Sequence, residues 1–323
     1  MNNTAENNSK NSNDINENSK SLRKLSVVVS VYNEEKALRE FYKETNKILE
    51  QIRKSGWEHE LIFVNDGSSD NSLSILEELA KEKPDLVTLP EMFNCPYQSS
   101  NFPVYAEKEG GETWQALSAL AAKYGIYLSA GSVPEVDEQG HIFNTAYVFD
   151  RNGKQIAKHR KMHLFDIEVE GGQSFKESDT LTPGDQVTVF DTEFGKMGIC
   201  ICFDFRFPEL ARLMVLEGAR VILVPAAFNM TTGPAHWEIL FRTRALDNQV
   251  YTLGTAPARD ADAGYTSWGH TIAVSPWGDI MGQMEEREGF MIQTLDLDKV
   301  KKVRQELPLL KNRRSDIYLL KKQ

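Results

Sequence analysis

Apolar residues along this chain recur at two spacings, and their alternation predicts β and α elements in turn after a polar start. Leu25-Ser-Val-Val-Val-Ser-Val-Tyr32 is a β-branched run of the kind that buried parallel strands use. Leu38, Phe41, Thr45, Ile48 and Ile52 then fall at threes and fours on one helical face. Asn33 can cap that helix, and Glu34 and Glu35 suit its first turn. Leu61-Ile-Phe-Val64 reads as the next strand. Gly67-Ser-Ser-Asp-Asn-Ser72 is turn chemistry leading into a helix with Leu73, Leu76 and Leu79 inward. Leu86-Val-Thr-Leu89 is a third strand, ending at Pro90-Glu91.

Beyond it the pattern stays α/β. It predicts a helix over 113–124, a strand over 126–132, and strands over 145–149 and 156–159. Asp150-Arg-Asn-Gly153 between the last two has hairpin character. A long loop is expected over 165–185, then a strand from Lys196 that stops at Cys202. A helix over 207–217, a strand over 221–224 and a helix over 235–248 with Trp237, Leu240 and Phe241 inward follow. Strands near 250–254, 271–274 and 290–295 close the reading.

Composition narrows the class. A chain of 323 residues, 41% hydrophobic and 26% charged, has the make-up of a soluble globular protein with one large or two modest domains. A net charge of −10 argues against a nucleic-acid or anionic-membrane surface, which needs a basic patch. Residues 1–23 are almost devoid of apolar side chains, so a disordered tail is expected, without the apolar stretch of a secretory signal. No run approaches the roughly 20 apolar residues of a membrane span. Cys95, Cys200 and Cys202 make no disulfide framework, which fits a reducing cytoplasm.

The candidate chemistry starts at Cys202. A side chain at a strand-to-helix turn is exposed at the carboxyl edge of a sheet, where α/β folds place their sites. The backbone N–H of Phe203 would face the same space as an oxyanion donor. Taken alone, a buried structural cysteine is the commoner case, and Cys200, inside the strand, fits that role. A thiol nucleophile needs a base, and the six histidines form no recognisable dyad with it. A carboxylate can serve if a lysine balances the charge. Glu91, in Leu89-Pro-Glu-Met-Phe93, and Lys161, in His159-Arg-Lys-Met-His163, each follow a strand, as Cys202 does. His159 and His163 have a metal-ligand spacing, but they lack the adjacent glutamate of a zinc-hydrolase helix and a third ligand.

These three segments resemble the glutamate, lysine and cysteine motifs of the nitrilase, or carbon–nitrogen hydrolase, superfamily, and the resemblance runs from about residue 86 to 320. It is nearest the ω-amidase branch, through Asn94-Cys-Pro-Tyr97, Leu164-Phe-Asp-Ile167, the stretch from Phe228 to Glu238, Arg244-Ala-Leu-Asp-Asn-Gln249 and Trp268-Gly-His-Thr271. The resemblance implies an α-β-β-α sandwich, no metal and no organic cofactor. It implies Glu91 as general base, Lys161 as the cation at the oxyanion, Cys202 as nucleophile and Glu177 as a supporting carboxylate. It further implies a small amide as substrate and a homodimer or larger homo-oligomer. A free carboxylate on that substrate would suit a guanidinium clamp, for which Arg206 is the nearest candidate. Phe228 and Thr231 are further substrate-facing candidates.

Residues 24–85 depart from this pattern. Leu25-Ser-Val-Val-Val-Ser-Val-Tyr-Asn-Glu-Glu35 and Phe63-Val-Asn-Asp-Gly-Ser-Ser-Asp-Asn-Ser72 resemble the two nucleotide-binding segments that open a family 2 glycosyltransferase. That likeness implies a nucleoside contact at Asp66. A transferase would also need a metal-binding Asp-x-Asp, and Asp260-Ala-Asp262 and Asp296-Leu-Asp298 both lie inside amidase-like stretches. The organisation expected is therefore a tail over 1–23, a transferase-like β-α-β-α segment over 24–85 and a hydrolase domain over 86–323. The 61–66 strand would replace the family's lost first strand, leaving 25–31 and its helix as an extra β-α unit, added at an edge or packed loosely. A nucleotide-sugar transferase and an inactive fusion are the competing readings.

Overall fold

The computed structural model describes residues 23–31, 57–65, 85–170, 174–287 and 289–322. Residues 1–22 of the expected tail, the two helices expected before residue 85, and Asp66 lie outside these residues, while Arg23, assigned to the tail, opens the first strand.

Two sheets carry the site. Strands β1 (Arg23–Val31) and β2 (Trp57–Asn65) precede β3 (Leu86–Thr88). Helices α1 (Phe102–Tyr105) and α2 (Glu112–Tyr124) lead to β4 (Tyr127–Val136), β5 (Ile142–Phe149) and β6 (Gln155–Arg160). The first sheet has the order β3-β4-β5-β6, with β3 parallel to β4 and the rest antiparallel. The Asp150–Gly153 turn joins β5 and β6 as expected: Asp150 Oδ1 accepts the N–H of Asn152 and of Lys154, and Gly153 takes the left-handed φ of 75°.

The expected loop over 165–185 is more ordered than its sequence suggests. It contains β7 (Asp166–Glu168), β8 (Ser174–Lys176), paired antiparallel, and a 3₁₀ turn over Glu177–Asp179. Three-residue strands are too short to show a period. After β9 (Thr188–Thr192) and β10 (Gly195–Ile199) come a 3₁₀ turn over Cys202–Arg206, α3 (Pro208–Leu216), β11 (Val221–Pro225), α4 (Gly233–Asn248) and β12 (Tyr251–Thr255). Next are β13 (Ile272–Val274), β14 (Ile280–Gln283), β15 (Phe290–Ile292) and α5 (Leu297–Glu306). The second sheet has the order β14-β13-β12-β11-β10-β9, with β10, β11 and β12 parallel at its centre.

The period of two in β5 explains the layers. Ala146 and Val148 face the core shared with Met197, Ile199 and Ile222 of the second sheet. Tyr147 and Phe149 face the other way, onto Leu117 and Ala121 of α2. On the far side of the second sheet, Trp237, Phe241 and Ala245 of α4 share one stripe at i, i+4, i+8 and are buried against it with Met214 of α3. The result is an α-β-β-α sandwich, the expected class. No helix among the described residues is long and apolar enough to cross a membrane.

The N-terminal strands differ from expectation. β2 does not ladder with β3. It runs parallel to β1 over all nine residues, while β15 pairs antiparallel with β1 from Val27 to Val29. β1 is therefore the middle strand of the order β15-β1-β2 rather than an added edge. Pairing on both sides satisfies backbone groups that an edge strand would expose.

Candidate active site

Three strand ends build the site. Glu91 sits in the turn after β3, Lys161 directly follows β6, and Cys202 comes three residues after β10 ends. The Glu91 turn is laced to a bulge in β4. The N–H of Ser132 donates to the Pro90 carbonyl, the N–H of Met92 to Ser132 Oγ and that of Phe93 to the Ser132 carbonyl. Gly131 permits the approach, because a Cβ there would collide with the Pro90 carbonyl. Lys161 is fixed through its backbone, its N–H donating to the Asn144 carbonyl and its carbonyl accepting from Gly184.

Cys202 opens its 3₁₀ turn with φ +46°, a left-handed conformation that a non-glycine residue rarely holds. The expected strand stops at Ile199, and the extra residues form the elbow. Asp204, fully buried, stabilises it: Oδ2 accepts the Ile201 N–H at 3.1 Å and His159 Nε2 at 3.0 Å. Oδ1 accepts the N–H groups of Met162 and His163 and His163 Nδ1. The two histidines with metal-ligand spacing thus both turn onto one carboxylate. His159 and His163 hold the Asp204 carboxyl well below its usual range, against burial, which pushes it up.

Glu91, Lys161, Cys202 and Glu177 converge, with exposures of 2%, 1%, 4% and 0%. Charges that deep must be paired. Lys161 Nζ lies 2.9 Å from Glu91 Oε1 and 2.8 Å from Glu177 Oε1. Glu91 Oε1 also accepts Asn144 Nδ2 at 2.8 Å, and its Oε2 accepts the Ala227 N–H at 2.9 Å. Glu177 Oε2 accepts the Phe165 N–H at 2.7 Å, and Tyr97 O–H reaches Oε1 of both glutamates.

The electrostatics assign protons. Burial opposes the Lys161 charge, but Glu177 and Glu91 outweigh it and hold its pKa above the ordinary value. Burial pushes the Cys202 thiol well up and Glu91 adds to this, so at rest the sulfur keeps its proton. Burial also raises Glu177 above the usual carboxylate range, with Lys161 opposing. A neutral thiol hydrogen-bonded to a carboxylate can attack only as that carboxylate takes its proton.

Phe203 is the second residue of the 3₁₀ turn, where N–H groups point out of the first turn. Arg206 closes the same turn, near enough for Cys202 and Tyr265 to act on its charge. Its guanidinium stacks over Phe228 at 4.6 Å, and Nη1 contacts His236 Nδ1 at 3.0 Å. Its buried Nε has no hydrogen-bond partner among the described residues. Phe228 is buried beside it. Thr231 is exposed, with its N–H bonded to Asn229 Oδ1 rather than to any atom of Glu91, Lys161 or Cys202.

Sequence reasoning missed Tyr97, Asn144, Asp204 and the Ala227 amide. Tyr97 and Asp204 lie inside stretches that carry the family likeness, and that placement was the available signal. A backbone N–H has no signature in sequence. Of the two Asp-x-Asp candidates, Asp296 caps α5 by accepting the Asp298 N–H, and Asp260 accepts the Asp262 N–H in an exposed loop.

Two families of known proteins match parts of the chain. Residues 66–305 match the carbon-nitrogen hydrolase family, and residues 26–91 match glycosyl transferase family 2. Omega-amidase NIT2 of Mus musculus is 47% identical over 253 residues, covering 77% of this chain and 91% of that protein. The chain belongs to the carbon–nitrogen hydrolase family. Omega-amidase NIT2 of Homo sapiens is 46% identical over the same shares of each chain. Among solved structures, Saccharomyces cerevisiae Nit3, of the nitrilase superfamily, superposes with a TM-score of 0.67 at 36% identity, covering 92% of this hydrolase and 99% of Nit3. The C. elegans NitFhit protein gives 0.71 at 28% identity, covering 93% and 67%. The carbon–nitrogen hydrolase described here is thus an amidase, preceded by a transferase-like stretch.

Proposed function

We propose that this hydrolase cleaves the terminal amide of a short keto-dicarboxylic acid, releasing ammonia through a cysteinyl thioester. One observation carries the reading: a buried Glu91–Lys161–Glu177 ion cluster converges on Cys202, with the Arg206 guanidinium in the same turn, its buried Nε without a hydrogen-bond partner among the described residues. Likeness to the omega-amidases supports the substrate class.

In this mechanism Cys202 Sγ attacks the amide carbon as Glu91 takes the thiol proton. An ammonium has three N–H donors, and Lys161 uses two on Glu91 and Glu177. The third, with the Phe203 N–H, serves the oxyanion, and losing one such donor typically costs about 100- to 1000-fold in rate. Glu91 then gives its proton to the departing nitrogen, the C–N bond breaks, and ammonia leaves a thioester. Water attacks the thioester, its proton going to Glu91, and collapse frees the acid as Glu91 reprotonates sulfur. Arg206, seated on Phe228, binds the far carboxylate.

The test is ammonia release from a panel of small amides that includes terminal amides of keto-dicarboxylic acids, with Cys202→Ala as control. Release confined to the intact thiol and fastest on carboxylate-bearing amides is expected. Equal rates on neutral amides would overturn the substrate assignment. We further propose that residues 24–85 serve the hydrolase domain over 86–323 by packing alone, with no transferase activity.

A further inference from the structure

We propose that Tyr97 is a positioning residue of this reaction, its phenol fixing the carboxylates of Glu91 and Glu177 relative to each other behind Cys202. The inference rests on the amidase reading above and extends it to a group outside the ion cluster.

Tyr97 O–H lies 2.7 Å from Glu177 Oε1 and 3.1 Å from Glu91 Oε1. These are the same two oxygens that Lys161 Nζ bridges. The pair of glutamates is therefore spanned twice, once by an ammonium and once by a phenol. The two bridges differ chemically. An ammonium only donates, whereas a phenol donates one proton and can also accept. With a single proton for two carboxylates, its shorter bond goes to Glu177. The same O–H is shared, over the longer distance, with Glu91 Oε1, the group that must gain and lose a proton in each half-reaction. Two carboxylates this close repel, and a shared donor holds them at a fixed separation.

The ring is built to aim that O–H. It packs against Tyr265 at 4.6 Å, Phe175 at 5.7 Å and edge-on against Phe102 at 5.6 Å. These partners come from three separate segments, so rotation of the phenol would disturb all of them. Burial, with the charges of Glu177 and Glu91, pushes the phenol well above its ordinary pKa, so it remains a donor over any working pH. Among the described residues, the titratable and charged groups that act on this corner are Lys161, Glu91, Glu177, Cys202, Tyr265 and, through Tyr265, Arg206.

Tyr97→Phe keeps the ring and removes only the bridge. Two readings separate positioning from packing: turnover of the best amide, and the pH dependence of Cys202 alkylation by iodoacetamide, which needs no substrate. Losing a donor to a carboxylate favours its protonated form, so the acid limb of both profiles should move to higher pH. We expect kcat to fall by about tenfold or more, with KM changed by less than about twofold and melting temperature nearly unchanged. Phe102→Leu is the packing control. It loosens the ring without touching the O–H, and should lower melting temperature while leaving the acid limb in place. A Tyr97→Phe protein with the native limb and native kcat overturns the proposal. So does a Phe102→Leu protein whose limb moves as far. If no amide is hydrolysed by the native chain, the amidase reading fails by itself, and the alkylation profile still decides the role of Tyr97.

Discussion

Asp204 Oδ1 accepts both the backbone N–H and the ring Nδ1 of His163, each at 2.8 Å, across 41 residues of sequence. The same carboxylate holds the N–H of Ile201, so one buried group ties the segment bearing Lys161 to the turn bearing Cys202. A site of this kind works only when its groups are held within a fraction of an ångström.

Asp204→Asn should therefore loosen both segments together. Three backbone N–H groups would meet an amide with fewer acceptor sites, and breaking a buried charged network costs roughly 3–5 kcal/mol. The pH dependence carries a sign. The native carboxyl titrates below its unfolded value, so its stabilisation is full above the ordinary aspartate range and is lost as pH falls through and below it. Thermal melts from neutral pH downward should show a shallower acid loss in Asp204→Asn than in the native chain.

Lys161→Ala should be both inactive and unstable. It leaves Glu91 and Glu177 facing each other at full burial with no cation between them. We expect activity to fall by at least about 1000-fold. Lys161→Arg should restore some folding but little activity, because a planar guanidinium cannot reproduce three donors from one nitrogen. Calorimetry beside ammonia release checks both statements.

Arg206→Lys should reduce selectivity rather than chemistry. Its stacked guanidinium has a buried Nε unpaired among the described residues, and a lysine can offer neither the fork nor the stack. The ratio of kcat/KM for carboxylate-bearing over neutral amides should fall by about tenfold or more, with the neutral-amide rate little changed. An unaltered ratio would show that the carboxylate is bound elsewhere.

Val28→Pro tests whether the transferase-like stretch is part of the hydrolase. Val28 lies in the middle strand, opposite Met291 of β15 and Ile62 of β2, and proline there removes a ladder donor. Melting temperature should drop by at least about 3 °C. An unchanged melt would mean that β1 contributes nothing to the hydrolase domain.

Much of the site was legible in the sequence because its parts are local. A strand that stops, followed by a glutamate, a lysine or a cysteine, needs only a few neighbouring residues to be seen. Glu91, Lys161 and Cys202 each had that form, and the Asp150–Gly153 hairpin turn carried its own side-chain acceptor. What the tertiary structure alone decided depends on residues far apart in the chain. The Ala227 N–H meets Glu91 across 136 residues, and Tyr97 meets Glu177 across 80. The place of β1 between β2 and β15 was likewise undecidable from a period, because an apolar strand pairs with whichever backbone edge the fold brings alongside. Local pattern sets which residues can form a strand end. Only long-range packing determines which strand ends meet, and so which buried charges share one proton.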